Sequence, residues 1–272
     1  MKEFTVRTLV AFIYGPLMLF FAWLGGIYLQ IFISIIAILG ITEYFNLLKQ
    51  RKNLILHYSF LIIATLITHF VIFIWGINYI IFLFLFFLIT LFIIELLHNK
   101  VNKATPRIAY SFFGLFYIPL TLEFLFLISK FENGNLILML LMLLVWVTDT
   151  SAYIIGSKFG KVRNIFAASR NKSITGFIAG ISSAFIFCFF FNYLAMRFLH
   201  LELLSTWQDC IALGIIVGIF DQVGDLIEST LKRFLGVKNS SNLIPGHGGI
   251  LDRYDSLMIT APLLYFYLYF LK

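Results

Sequence analysis

The sequence predicts an all-α polytopic membrane protein, and three observations carry that prediction. Of the 272 residues, 61% are hydrophobic and only 12% are charged, whereas a soluble domain carries about 25% charged residues. Apolar runs recur along nearly the whole chain, many of them near the roughly 20 residues that span the hydrocarbon of a bilayer. Runs such as residues 80–94 do not alternate polar with apolar positions, which excludes a transmembrane β-barrel.

Nine transmembrane helices with short loops and no soluble domain are predicted, because nine apolar runs are separated by short polar segments. Residues 1–135 contain about five spans and few polar groups, and residues 136–272 contain about four spans and the polar motifs. The start MKEFTVR runs into the first span without a small-residue cleavage site, so that helix is expected to be retained. The predicted spans are residues 8–24, 27–47, 54–75, 78–97, 107–129, 135–157, 173–197, 209–235 and 254–271.

The basic residues predict the orientation. Alternating the loops puts seventeen of the 20 Lys and Arg on one side of the membrane, and only Lys130, Arg197 and Lys272 on the other. The positive-inside rule then makes the N-terminus and the polar loops 158–172 and 236–251 cytoplasmic. Part of this excess can instead bind anionic lipid or nucleotide, and the pattern does not separate these roles. Nucleic acid is not an expected partner, since the basic residues sit in short juxtamembrane loops.

Isolated polar residues in the N-terminal spans are interpreted as structural. Glu43, Glu95 and Glu123 lie near span ends or in the outer part of the fifth span, where capped or snorkelling carboxylates are expected. His69 is interpreted as a hydrogen-bonded packing residue. An ion path is the alternative, and it requires partners that the sequence does not reveal. A transporter with duplicated topology is disfavoured, because the chain has no internal repeat and nine spans do not divide into equal halves.

The eighth span carries an acidic stripe. Asp221, Asp225 and Glu228 follow the spacing i, i+4, i+7, and Lys232 follows at i+11, which places all four on one face of a helix. Two carboxylates this close in a poorly hydrated site repel each other unless a cation joins them, so a divalent metal is the natural partner. The alternative is a structural ladder of ion pairs from Asp225 and Glu228 to Lys232 and Arg233.

Asp252 and Asp255 begin the ninth span, just after a Pro-Gly-His-Gly-Gly turn. Two acidic helices joined by this turn are expected to present Asp221, Asp225 and Asp252 to one ion, and such an oxygen-rich site favours Mg²⁺ with substrate phosphates. The turn lacks the Walker A pattern, so a P-loop is not supported. Its glycine amides fit an anion-binding nest, although an ordinary tight turn has the same composition. The role of His247 is left open between general acid, phosphate donor and turn-stabilising hydrogen bonder.

A second polar patch lies between Trp146 and Gly160. Asp149, Tyr153 and Gly156 follow the spacing i, i+4, i+7, which puts an acid and a phenol on one helix face beside a small residue. An acid inside an apolar run requires a partner, while Gly156 and Gly160 also fit plain helix packing. In the loop that follows, Ser169, Lys172 and Ser173 are candidates for contacts with phosphate or hydroxyl groups of a substrate. The alternative is that this loop is only solvated and binds nothing.

These residues together resemble the phosphatidate cytidylyltransferases, the CDP-diacylglycerol synthases. The resemblance in motifs covers about residues 146–256 and is specific, because many positions match at fixed spacing. Asn239, Arg170 and Thr175 depart from the family's Asp, Pro and Glu or Gln, which bears on rate rather than on reaction type. The matching positions are Trp146, Asp149, Ala152, Tyr153, Gly156, Asp221, Gly224, Asp225, Ser229, Lys232, Arg233, Lys238, Pro245, His247, Gly248, Gly249, Asp252, Arg253 and Asp255.

The resemblance implies that CTP and phosphatidate give CDP-diacylglycerol and pyrophosphate with Mg²⁺, in the bilayer of a bacterial plasma membrane with the site on the cytoplasmic face. The implied metal ligands are Asp225 and Asp252, with Asp221 as a further ligand or a neighbour of one. The implied catalytic residues are Asp221, Asp225, Lys232, His247, Asp252 and Arg253. The implied substrate-binding residues are Asp149, Ser169, Lys172, Ser173, Ser229, Arg233, Lys238, Gly248, Gly249 and Asp255.

Two rival functions stay open at this stage. A cation-coupled transporter accounts for the buried acids Asp149, Asp221 and Asp225 but not for the polar turn at the membrane rim. Another lipid nucleotidyl- or phosphotransferase ranks lower, since the Asp-Gly and Ala-Arg pattern of the CDP-alcohol phosphotransferases is not visible. A covalent intermediate on Ser229 is disfavoured, because no base lies at an obvious helical spacing. Whether two copies of the chain form a homodimer is also left open.

Overall fold

The regular structure of the described residues is helical. The computed structural model describes residues 2–99, 101–200, 204, 206–241, 243–244 and 248–271, with side chains from residue 12 onward except at 199 and 271. Pro245, Gly246 and His247 lie outside the described residues. The helices are α1 Lys2–Leu24, α2 Gly26–Lys52, α3 Tyr58–Trp75, α4 Ile80–His98, α5 Ala104–Leu115, α6 Thr121–Ser129, α7 Gly134–Phe159, α8 Ile174–Leu194, α9 Trp207–Phe234 and α10 Leu251–Leu271.

Long apolar helices make this a polytopic membrane protein, as predicted. Within the described part of the chain, six segments are long and apolar enough to cross a bilayer. They carry large apolar side chains on their outer surface, such as Phe82 and Leu97 of α4, which are 71% and 80% exposed. The six segments are Gly26–Lys52, Tyr58–His98, Ala104–Ser129, Gly134–Phe159, Ile174–Phe198 and Trp207–Phe234.

The count of nine spans is not confirmed, and three regions account for the difference. Helices α3 and α4 form one apolar segment of 41 residues, in which a short 3₁₀ turn at Gly76–Tyr79 changes the chain direction. In α1, the apolar stretch Phe12–Leu24 is shorter than a full span. Helix α10 begins with the charged residues Asp252, Arg253 and Asp255, which lower its hydropathy.

Two helix breaks also differ from the predicted pattern of plain spans. The predicted span 107–129 is divided into α5 and α6 by a π-helical turn at Phe116–Leu120, which contains Pro119. Proline has no N–H to donate, so the regular hydrogen-bond pattern shifts there. Helix α6 is buried along almost its whole length and packs against α2 and α10. It therefore forms the centre of the helix bundle.

Small residues bring the C-terminal helices close together. A Cβ on Gly224 of α9 would lie 2.6 Å from the carbonyl oxygen of Asp255 in α10. A Cβ on Gly156 of α7 would lie 3.1 Å from Cα of Gly176 in α8, so Gly156 serves helix packing. These approaches place the polar faces of α7, α9 and α10 side by side, and the candidate site forms between them.

Candidate active site

Asp225 and Lys172 form an ion pair between α9 and the loop before α8. Lys172 Nζ lies 2.7 Å from Asp225 Oδ2, and the same ammonium donates to the carbonyl of Gln222 at 3.3 Å. Ser229 donates through Oγ to Asp225 Oδ1 at 3.2 Å, one turn further along α9. Both side chains of the pair are partly exposed, 23% for Lys172 and 34% for Asp225, so a bound substrate can reach them.

Asp252 is held by donors on every side. Its Oδ2 accepts the N–H of Gly249 at 2.8 Å, the N–H of Ser240 at 3.0 Å and the hydroxyl of Ser240 at 2.8 Å. Its Oδ1 accepts from Lys232 Nζ at 2.6 Å. These bonds fix the carboxylate against the start of α10 and the Gly248-Gly249 turn. The amide of Gly249 is therefore already used inside the protein.

Part of the ion-pair ladder considered as an alternative is present. Lys232 pairs with Glu228 as well as with Asp252. Asp225 does not join this ladder, since its cation is Lys172. Arg233 points elsewhere and donates to the carbonyl oxygens of residues 168 and 237, which ties the loop before α8 to the loop after α9.

Asp221 stands out because its buried carboxylate lacks a partner. The residue is 0% exposed, and neither carboxylate oxygen has a hydrogen-bond partner of normal geometry among the described residues. Asp149 and Asp255 are within electrostatic range of it, as is the cation Lys172. Asp255 also interacts with Asp225 and uses Oδ1 to accept the N–H of Ser256 at 2.9 Å. The acids of α7, α9 and α10 thus lie within electrostatic range of one another.

An open cavity of about 600 Å³ lies beside this acidic centre. It is bounded by α7, α8, α9 and the loop between α7 and α8. Four of the predicted substrate-binding positions line it together with Asp225, and they are Asp149, Ser169, Lys172 and Ser173. Ser173 is buried and caps α8, since its Oγ accepts from Gly176 N at 3.2 Å and donates to Gly156 O at 3.4 Å. Asp149, Lys172 and Ser169 are therefore among the polar groups that a ligand in this cavity can meet.

A second polar cavity of about 570 Å³ holds other predicted positions. It lies between the C-terminal end of α2 and the loop after α9, and its lining includes Lys238, Asn239 and Arg51. Lys238 is thus separated from the first cavity. Two residues of this region escaped the sequence-based site prediction, Glu43 and Ser240. No spacing pattern in the sequence predicts their roles, because the hydrogen-bond partners of Glu43 lie 197 and 208 positions away in the chain.

Comparison with known proteins decides the family. Residues 5–271 match the family model described as "Cytidylyltransferase family". The chain belongs to that family. A "Phosphatidate cytidylyltransferase" of Staphylococcus aureus (strain COL) is 34% identical over 272 residues, 95% of this chain and 96% of the relative. A relative of the same name from Staphylococcus haemolyticus (strain JCSC1435) is 41% identical over 52% of this chain and 52% of its own length. Another from Bacillus subtilis (strain 168) is 40% identical over 46% of this chain and 44% of its own length.

Family membership confirms the resemblance and makes the protein a nucleotidyltransferase and an integral membrane protein with bacterial relatives. The comparisons offer no support for the transporter alternative. Enzymes of this kind generally use a divalent metal, and the donor chemistry here fits one. Asp221 offers two buried carboxylate oxygens without partners, beside further acids.

The predicted ligand set of Asp221, Asp225 and Asp252 stays a prediction. Within the described residues, no group of three or more His, Cys, Asp or Glu side chains is arranged as a ready metal site. Asp225 is neutralised by Lys172, and Asp252 by Lys232 and its hydrogen-bond donors. Lysines thus provide positive charge beside Asp225 and Asp252, whereas Asp221 has no ion-pair partner among the described residues.

Proposed function

We propose that this protein is a phosphatidate cytidylyltransferase that joins CTP and phosphatidate to give CDP-diacylglycerol and pyrophosphate, with Mg²⁺. One observation carries the proposal. In a chain that aligns end to end with a phosphatidate cytidylyltransferase, the Lys172–Asp225 pair and Asp149 line one open cavity. Cations beside carboxylates are the groups that nucleotidyl transfer between two polyanions requires.

The reaction needs charge compensation more than proton transfer. A phosphate oxygen of phosphatidate attacks the α-phosphorus of CTP, and the bond from that phosphorus to the bridging oxygen of pyrophosphate breaks. No general base is obligatory, because the attacking phosphate is already anionic near neutral pH. Lys172 is a partly exposed cation in the cavity and would bind a phosphate oxygen. Arg253, exposed on α10 and within electrostatic range of Asp149, would bind another.

Mg²⁺, when bound, would neutralise the triphosphate and polarise the α-phosphorus. Asp221 and Asp225 of α9 are the ligands best supported, because Asp221 has unsatisfied oxygens and Asp225 faces the cavity. Asp252 is proposed as the third residue of the set. Its bonds to Ser240 and Gly249 also orient the turn, so it contributes to the site whether or not it touches the ion.

The remaining predicted roles are kept as proposals with their supporting positions. Lys232 and Arg233 would hold substrate phosphates. Lys232 lies beside Asp252, and Arg233 contacts the loop before α8. Lys238 lines the second polar cavity and would bind anionic groups that enter there. Roles for His247, Gly248, Ser229 and Asp255 in substrate binding are expected from the family resemblance.

We further propose nine spans, a cytoplasmic N-terminus and a cytoplasmic site in a bacterial plasma membrane. The asymmetry of the basic residues supports this orientation, and the relatives are bacterial. The division into residues 1–135 and 136–272 is retained as a proposal because the acids and cations of the first cavity all belong to the second part. The formation of a homodimer and the absence of nucleic acid as a partner stay predictions.

Turnover of purified protein tests the function. The full chain in detergent with phospholipid is incubated with radiolabelled CTP and phosphatidate, and lipid-extractable label and released pyrophosphate are measured. Both products are expected in equal amounts, only with phosphatidate present, and EDTA should abolish them until Mg²⁺ is restored. Reactions with diacylglycerol, dCTP or ATP serve as controls for each substrate. Pyrophosphate release that is indifferent to phosphatidate would contradict the proposal.

A further inference from the structure

Glu43 of α2 is buried at the N-terminus of α10. Only 5% of the residue is exposed. Its Oε2 accepts the backbone N–H of Leu251, the first residue of α10, at 3.1 Å, and its Oε1 lies 2.6 Å from the hydroxyl of Ser240. The ion pairs found in the described part of the chain do not include Glu43. Hydrogen bonds, and not a cation, therefore hold this carboxyl group.

Ser240 connects Glu43 to Asp252. The Ser240 hydroxyl lies 2.8 Å from Asp252 Oδ2, and the Ser240 N–H donates to the same oxygen at 3.0 Å. Asp252 is the second residue of α10, so Glu43 contacts both the serine that orients Asp252 and the backbone of the helix that carries it. A helix of the N-terminal half thus reaches directly into the candidate site.

The packing between this connection and Gly249 leaves no room for a side chain at position 249. A Cβ placed on Gly249 would overlap Glu43 Oε1 and the hydroxyl of Ser240. The turn before α10 is therefore pressed against both groups. Because close-packed groups transmit small displacements, removal of the Glu43 side chain would let the turn and Asp252 move together.

The hydrogen count around Ser240 shows what kind of group position 43 requires. A serine hydroxyl carries one hydrogen, so it can donate to Glu43 Oε1 or to Asp252 Oδ2 but not to both at once. Asp252 is the neighbour already surrounded by donors, including Lys232. A glutamine at position 43 would accept from the Leu251 N–H and donate to Ser240, which leaves the Ser240 hydroxyl hydrogen for Asp252. A glutamine amide has this donor and this acceptor at nearly the same positions.

We propose that Glu43 is a positioning residue for Asp252, which acts by fixing Ser240 and the start of α10 through hydrogen bonds and not through its negative charge. The proposal rests on the function proposed above, in which Asp252 takes part in cytidylyl transfer. It assigns a role to a residue for which the family motifs, all located after residue 145, provide no counterpart.

The decisive comparison is between Glu43→Gln and Glu43→Asp, measured as kcat and KM for CTP and phosphatidate. Glutamine keeps the length and both hydrogen bonds, so kcat is expected within about threefold of the parent. Aspartate keeps the charge but is one methylene too short, so kcat should fall about 30-fold or more with KM little changed, as expected when a reacting group is displaced by a fraction of an ångström. Equal losses in both variants, or a loss with Gln alone, would overturn the proposal.

Ser240→Ala and Asn46→Ala provide the matched variants. Ser240→Ala removes the connecting hydroxyl and should lower kcat like Glu43→Asp, and the double variant should lose little more than either alone, because both changes break the same connection. Asn46 lies one turn from Glu43 on α2 and is exposed beside the same cavity, so Asn46→Ala should leave kcat unchanged. Multiplicative losses in the double variant would contradict a shared connection.

Amide hydrogen exchange provides a readout that does not depend on turnover. In Glu43→Asp, peptides covering residues 248–255 should exchange at least tenfold faster than in the parent, whereas those of Glu43→Gln should match it. Unchanged exchange in Glu43→Asp would overturn the positioning role even if activity falls. A parent protein that shows this exchange pattern but no phosphatidate-dependent turnover would instead refute the proposed function and leave the structural connection established.

Discussion

The two halves of the molecule treat buried polar groups in opposite ways. In α2 to α6 each buried acid has its own partner. Glu95 accepts two hydrogen bonds from Arg107, at 2.7 and 2.5 Å, and lies 2.8 Å from His57 Nε2. In the first cavity and the helices around it, acids lie within electrostatic range of one another, and neither carboxylate oxygen of Asp221 has a hydrogen bond of normal geometry among the described residues. Paired acids stabilise a fold, whereas acids left in excess mark a place where a ligand is expected.

The deepest N-terminal pair illustrates the first case. Glu123 of α6 pairs with His69 of α3 and accepts from Gln30 Nε2 of α2 at 2.7 Å. All three side chains are buried, so this cluster joins three helices without a route for a ligand. The interpretation of His69 as a hydrogen-bonded packing residue is confirmed, and Glu123 is structural through pairing rather than through snorkelling.

Replacing an acid of the cavity should have the largest effect on turnover. Asp225→Asn removes the charge that faces Lys172 and the proposed ion, so kcat is expected to fall about 1000-fold or more, because metal-assisted charge stabilisation is lost. Pyrophosphate release with phosphatidate present measures the effect. Thr230→Ala is the control on the same helix, since Thr230 Oγ1 bonds only to its own helix at Leu226 O in the described structure. Activity within tenfold of the parent would remove Asp225 from the proposed site.

Removing Lys172 from the first cavity should have the next largest effect. Lys172→Met is expected to raise KM for CTP about tenfold to 100-fold, because a phosphate contact is lost and Asp225 is left without its 2.7 Å partner. Initial rates over a range of CTP concentrations give the value. Lys158→Met, at the exposed end of α7, removes the same charge outside the cavity. An equal change of KM for CTP in both variants would contradict a phosphate-binding role for Lys172.

Replacing Asp221 should affect stability and turnover in different ways. Asp221→Asn removes a buried charge that has no hydrogen-bond partner, so the variant is expected to unfold at the same or a higher temperature than the parent without Mg²⁺. The Mg²⁺ concentration for half-maximal turnover should nevertheless rise about tenfold or more, because one proposed ligand loses its charge. A thermal shift assay and a Mg²⁺ titration measure the two quantities. A lower unfolding temperature together with an unchanged Mg²⁺ requirement would refute this account.

A change in the N-terminal half should spare turnover. Arg107→Ala leaves Glu95 with His57 as its remaining side-chain partner in the described structure, and breaking a buried pair costs about 3–5 kcal/mol of stability. A clearly lower unfolding temperature is expected, while kcat per folded molecule stays within about twofold of the parent. The test is to divide the measured activity by the fraction of folded protein, determined by size-exclusion chromatography. A fall in kcat without loss of stability would mean that this cluster contributes to catalysis.

Local patterns predicted the helices well, because hydropathy and helical spacing depend on neighbouring residues. The stripe of Asp221, Asp225 and Glu228 is an example, since all three lie on α9 as expected. The π turn at Phe116–Leu120 was missed, because Pro119 lies in an otherwise continuous apolar run.

Contacts between distant segments could not be predicted in this way. Nothing in the spacing shows that Lys172 pairs with Asp225, or that Glu43 reaches the start of α10 across 208 positions. The predicted metal set assumed that neighbouring acids are free to share an ion. In the structure Asp252 is instead already surrounded by Lys232, Ser240 and Gly249. Which acid is free depends on packing, and packing has no short-range signature.

Gly224 gives the spacing of the whole acidic centre a simple physical origin. Since the carbonyl oxygen of Asp255 would lie 2.6 Å from any Cβ at this position, α9 and α10 touch backbone to backbone where the acids meet. This close approach of the two helices depends on the absence of a side chain at position 224. A methyl group there would push the acids of α9 away from those of α10.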